Sequence, residues 1–166
     1  MKAVFKALLL FVMSGMIMAS ELPWQGFQQI GNARLSVLFW RVYDARLYSP
    51  TPEFSFPGTR PFALELEYRR NFSRQNLVDE TRRQWQAQGL DYREAWLEQL
   101  AVLLPDVIEQ DRITLYVDAA GRSVFFLNDE ELGVIGDQEF SMAFARIWLA
   151  EQTAHPDFRK ALLGEP

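Results

Sequence analysis

Residues 62–68, FALELEY, alternate apolar and acidic side chains, the period of a strand with one wet face. Residues 27–30 and 33–48 are rich in β-branched and aromatic types, with Gly31 and Asn32 predicted as a turn between two strands. The proline-rich stretch 49–61 reads as a loop, because proline cannot donate to a sheet ladder. From residue 73 the period changes. Leu77, Val78 and Trp85 lie on an otherwise polar surface, predicting a helix over 73–88 that Gly89 ends. Asp91 and Glu94 have capping-box spacing and start a second helix, carrying Trp96, Leu97, Leu100, Leu103 and Leu104 and ended by Pro105. Residues 111–129 form two strands around a turn at 118–121, and a short extended piece, 132–136, leads to Asp137. Asp137 is a good N-cap for a helix over 138–151, whose buried stripe is Phe140, Phe144, Ile147 and Trp148. Pro156 opens a last short helix and Gly164 closes it.

Strands, two helices, strands, two helices is the order of an α+β fold with a mainly antiparallel sheet, its helices layered on one face. The first twenty residues stand apart from it. Lys2 and Lys6 precede an apolar run over 7–18 and the small residues Ala19 and Ser20, the pattern of a cleaved secretory signal peptide. That run is shorter than the span of a bilayer. Cleavage is expected after Ala19, with Ser20 as the second position, leaving residues 20–166 as a single domain with no stable membrane insertion. The expected location is the periplasm.

Composition narrows the chemistry. The chain has no cysteine, so disulfides, thiolate metal sites and cysteine nucleophiles are excluded. Its net charge of −5 becomes more negative once Lys2 and Lys6 are removed, which argues against nucleic acid and disfavours anionic membrane surfaces. The one histidine, His155, sits in a loop between two helices and is expected to face solvent. HExxH, GxSxG, the phosphate-cradling loops and any calcium-loop alternation are absent; NDEE, 128–131, reads as a solvated turn. No cofactor, metal or catalytic residue is therefore expected. The basic groups in RRN, 69–71, and TRR, 81–83, are expected to pair with Asp79 and Glu80 on a helix surface.

The stretch WRVYDARLYSP, 40–50, looks chemical but divides by parity. Trp40, Val42, Asp44, Arg46 and Tyr48 share one face, and Arg41, Tyr43, Ala45 and Leu47 share the other. Asp44 and Arg46, two residues apart, are expected to pair, which makes most of the motif an outer strand face.

Three stretches together resemble the bacterial chalcone isomerase-like proteins. They are GNARLSVLFWRVYDARLYSP (31–50), FALELEYRRNFSRQNLVDE (62–80) and GRSVFFLNDEELGVIGDQEFSMAFARIWLAEQTAHPDFRKALLG (121–164). The resemblance implies an open-faced β-sandwich, a large antiparallel sheet with helices on one face. The superfamily holds plant enzymes that cyclise chalcones and fatty-acid-binding proteins that do not. In the binders an arginine and a tyrosine of the early strands hold the ligand carboxylate in a cleft between sheet and helices. Carried over by position, the tyrosine is Tyr43 and the arginine Arg34. Nine residues separate them, so a bulge or turn near Ser36 is needed to bring them to one face. Without it Arg41, on the face of Tyr43, is the alternative. Phe144 and Trp148 are the expected apolar lining. Two polar positions of the enzymes are Phe72 and Ile147 here, so cyclisation is not expected. The resulting expectation is an exported non-catalytic domain that holds a fatty acid or similar small apolar acid. The alternative is an interaction or structural protein without a small ligand.

Overall fold

The computed structural model describes residues 21–165; the expected signal peptide and its cleavage site at Ala19 lie outside the described residues. One antiparallel sheet of six strands has the spatial order of the sequence. Its strands are β1 (Gln28–Val37), β2 (Trp40–Ser49), β3 (Phe62–Tyr68), β4 (Arg112–Val117), β5 (Ser123–Leu127) and β6 (Glu130–Ile135). Between β3 and β4 come α1 (Arg74–Ala87) and α2 (Glu94–Leu103); after β6 come α3 (Gln138–Leu149) and α4 (Pro156–Leu162). All four helices pack on one face, giving the open-faced α+β sandwich. Among the described residues no helix is long and apolar enough to cross a membrane.

The core lies between that face and the helices. Ala45, Leu47, Phe62, Leu64, Leu115 and Phe125 supply the sheet side; Trp85, Leu100, Phe140 and Leu149 supply the helix side. The ends of α1 and α3 follow local chemistry. Ser73 and Asn76 form a reciprocal capping box at the start of α1, and Gly89, at φ 61°, turns the chain after it. Asp137 caps α3 by accepting from the backbone N–H groups of Glu139 and Phe140. Trp85, fully buried, donates its indole N–H to the Ala143 carbonyl at 2.7 Å and ties α1 to α3.

The opposite face has two zones. Trp24, Phe126 and Ala63 form a small apolar cluster, with Phe27, Tyr48 and Tyr116 against it. Beside it runs a ladder of ion pairs. Arg34 and Arg69 both bind Asp44, Arg69 and Arg46 both bind Glu67, and Arg46 and Arg112 both reach Glu65.

Several local expectations are corrected. Gly31 and Asn32 are not a turn: they lie inside β1, next to an irregularity in its pairing with β2, and the turn comes at Leu38 and Phe39. Glycine is needed at 31 because the end of α4 rests on it; a Cβ there would lie 2.5 Å from the Leu162 carbonyl oxygen. Asp91 does not cap α2, whose N-cap residue is Arg93, without a side-chain cap. Asp44 and Arg46 pair across strands rather than with each other, because partners on β1 and β3 lie closer than the next side chain along β2. Arg69 likewise joins the sheet ladder instead of α1. Arg83 does pair with Glu80, while Arg82 binds Glu94 of α2. Asn128 and Asp129, at φ 48° and 75°, make the tight β5–β6 turn expected of a solvated NDEE segment.

Candidate functional site

A cavity of about 810 Å³ opens between the sheet and the helix layer. Its floor is the inner face of β2, β3 and β4, through Tyr43, Leu64, Leu66, Tyr68, Ile113 and Leu115. Leu77 of α1, Phe144, Ile147 and Trp148 of α3, and Phe158 of α4 form its walls. Strand alternation explains the floor: Tyr43 shares a face with Ala45 and Leu47, while Asp44 and Arg46 are turned to the ion-pair ladder.

Tyr43 is fixed from above and from the side. The Trp148 indole N–H donates to its hydroxyl oxygen at 2.8 Å, and its ring meets Tyr68 and Phe158 edge-on at 6.0 and 5.9 Å. The Tyr43 hydroxyl accepts that bond and keeps its own proton to donate. Burial raises the pKa of Tyr43 and of Tyr68 far above the ordinary phenol range, so both are neutral hydroxyls in any physiological buffer. Among the described residues Tyr68 makes no side-chain hydrogen bond, although its ring is buried beside Tyr43 and Phe72. Two phenols thus stand among the apolar residues of the floor, while Thr81, Gln84 and Thr153 add polar groups to the walls.

Charges gather at the rim. Arg70, Asp79, Glu80 and Arg83 line the cavity, and Arg83 is engaged by Glu80. Arg70 is exposed, stacks over the Trp40 ring at 4.9 Å, and has no carboxylate partner among the described residues. His155, the N-cap residue of α4, also lines the cavity and is half-buried rather than fully solvent-facing. Among the described residues no cluster of side chains could hold a metal ion.

Of the expected binding residues, Tyr43, Phe144 and Trp148 converge here. Arg34 does not. A turn and a pairing irregularity do lie between it and Tyr43, but Arg34 is directly opposite Asp44, on the outer face, where its Nε donates to that carboxylate at 2.6 Å. Arg41 pairs with Ser36, is exposed and lies outside the cavity lining. Phe72 and Ile147 are both in the cavity wall, with the Phe72 ring 5.7 Å from that of Tyr68. Sequence reasoning missed Tyr68 and Arg70. The signal for Tyr68 was the parity of FALELEY, which puts it in line with Leu64 and Leu66.

Comparison with known proteins gives one consistent picture. A family model described as chalcone isomerase-like matches residues 28–164. An uncharacterized protein of Haemophilus influenzae is 28% identical over 99% of this chain and 78% of its own length. Among solved structures, the crystal structure of a fatty-acid binding protein of Arabidopsis thaliana superposes with a TM-score of 0.63. That likeness covers 84% of this chain and 87% of the plant chain at 11% identity, and it is a likeness of fold.

Proposed function

Because the chain belongs to the chalcone isomerase-like family, we propose that it is an exported, non-catalytic carrier of a small apolar acid such as a fatty acid. One observation carries this reading: a mainly apolar cavity of about 810 Å³ between sheet and helices, within the size range of small-ligand sites. The plant protein of the same fold is named for fatty-acid binding, which supports the ligand class. The basic and apolar start of the sequence supports export to the periplasm.

The position of the carboxylate follows from charge. A buried carboxylate without a cation is costly, and Arg34 is committed to Asp44 on the other face. Arg70 lines the rim and has no carboxylate partner among the described residues. The acid therefore lies with its head at Arg70 and its alkyl chain over Tyr43, Leu66 and Phe144. Phe72 and Ile147 place no polar group on the ligand, in keeping with carriage rather than catalysis.

Titration with a fluorescent fatty acid tests this. Arg70→Ala is expected to weaken binding about tenfold, the loss of one charge-assisted hydrogen bond, while leaving the methyl ester unaffected. Arg34→Ala is expected to leave both affinities unchanged. A protein that binds neither probe, or that cyclises a chalcone above the spontaneous rate, overturns the reading.

A further inference from the structure

The β1–β2 hairpin ends in four consecutive large apolar residues that the described residues leave more than half exposed. Val37, Leu38, Phe39 and Trp40 are 51, 86, 98 and 60% exposed. Leu38 occupies the first position of the two-residue turn at φ 56°, a place in such hairpins that glycine fills without strain. An apolar side chain is thus kept where glycine would be more stable and a polar residue more soluble. Backbone strain combined with exposed apolar surface directs attention to binding.

We infer that this hairpin tip docks the protein on the surface of a phospholipid bilayer, with Leu38 and Phe39 inserted at the boundary of headgroups and acyl chains. The shape favours lipid. Two side chains on a narrow convex turn bury far less than the ~800 Å² per partner of a stable protein interface, yet suffice as a wedge in an interface. The neighbours favour it too. Trp40 is an amphipathic ring of the kind enriched at membrane interfaces, and Arg70 stacks on it. Arg41 follows directly, and neither arginine has a carboxylate partner among the described residues, so Arg41 is free for phosphate groups, and Arg70 is too while the cavity holds no acid. The acidic balance of the whole chain opposes attachment by charge alone; here apolar insertion leads and the two cations orient it. Val37 belongs both to the tip and to the cavity lining, so docking brings the cavity rim to the lipid surface. Docking itself requires no ligand in the cavity.

The test is flotation of the purified protein with vesicles of phosphatidylethanolamine and phosphatidylglycerol, without added fatty acid. The wild type is expected to float, and brominated lipid is expected to quench Trp40. The double variant Leu38→Gly/Phe39→Asn is expected to float at least about tenfold less. It should keep or raise the unfolding temperature, since both replacements suit the turn. Arg41→Glu is expected to lower flotation further on anionic than on zwitterionic vesicles. Wild-type protein that stays at the bottom of the gradient overturns the inference, as does a double variant that floats equally. If sedimentation velocity shows a dimer that the double variant abolishes while neither protein floats, the tip belongs to a second copy and the inference is likewise overturned.

Discussion

Asp44 shows how one carboxylate organises a face. Its side chain is 12% exposed and takes hydrogen bonds from Arg34 Nε at 2.6 Å and from Arg69 Nε at 2.9 Å. The bond from Arg34, aided by Arg69, outweighs the opposing effect of burial and holds its pKa below the usual carboxylate range. The sign of the pH dependence follows. The native state favours the ionised form, so the stabilisation is complete above the unfolded carboxylate pKa of ~3.9 and is lost as pH falls through the lowered native value. Asp44→Asn is expected to cost about 1–3 kcal/mol at pH 7, from two weakened charge-assisted contacts. In urea unfolding followed from pH 7 into acid, the wild-type and variant stabilities should converge. A gap that stays constant into acid would assign the loss to packing. This chemistry was half legible beforehand. Parity put Asp44 and Arg46 on one outer face, but their partners lie 10 to 25 residues away in the chain, and spacing along β2 says nothing of those.

At the scale of elements, the error at Gly31 is instructive. Glycine followed by asparagine is a turn signal, and LFW is not, so local chemistry put the hairpin turn in the wrong place. Tertiary structure overrides it. The C-terminal turn of α4 rests on β1, leaving no room for a Cβ at 31, and the chain instead reverses at Leu38, at φ 56°. A glycine within a strand has the second meaning of close backbone approach, and that is the one realised here. Gly31→Ala should therefore lower stability by about 1–3 kcal/mol, because backbone carbonyls of Ala161 and Leu162 must move. Thermal unfolding measures it. Loss of α4 protection in hydrogen exchange should exceed any loss in α2, which lies elsewhere on the sheet. The helices themselves were legible: the 3.6-residue stripes and the cap at Asp137 are local and the structure keeps them, whereas the box expected at Asp91 gives way to Arg93 as the N-cap of α2.

For the whole molecule, antiparallel neighbours in sequence order made the architecture readable, since each strand pairs with the one before it. The cavity was not readable. Phe144, Ile147 and Trp148 show the same helical stripe whether they fill a core or wall a chamber. Which of these occurs depends on how far α1 and α3 stand from β3, a sum over many contacts. The consequence is thermodynamic: an apolar chamber forgoes packing that a ligand can restore. Binding to the native state alone adds stability of RT ln(1 + [L]/Kd), about 2.7 kcal/mol at a hundredfold excess over Kd. For a chain of this size that corresponds to a rise of about 5–10 °C in unfolding temperature. A long-chain fatty acid should produce that rise in the wild type. Leu66→Trp, which fills the floor beside Tyr68, should unfold at a temperature that no longer responds to the acid. An equal response in both proteins would place the ligand outside the chamber, on the surface instead of between sheet and helices.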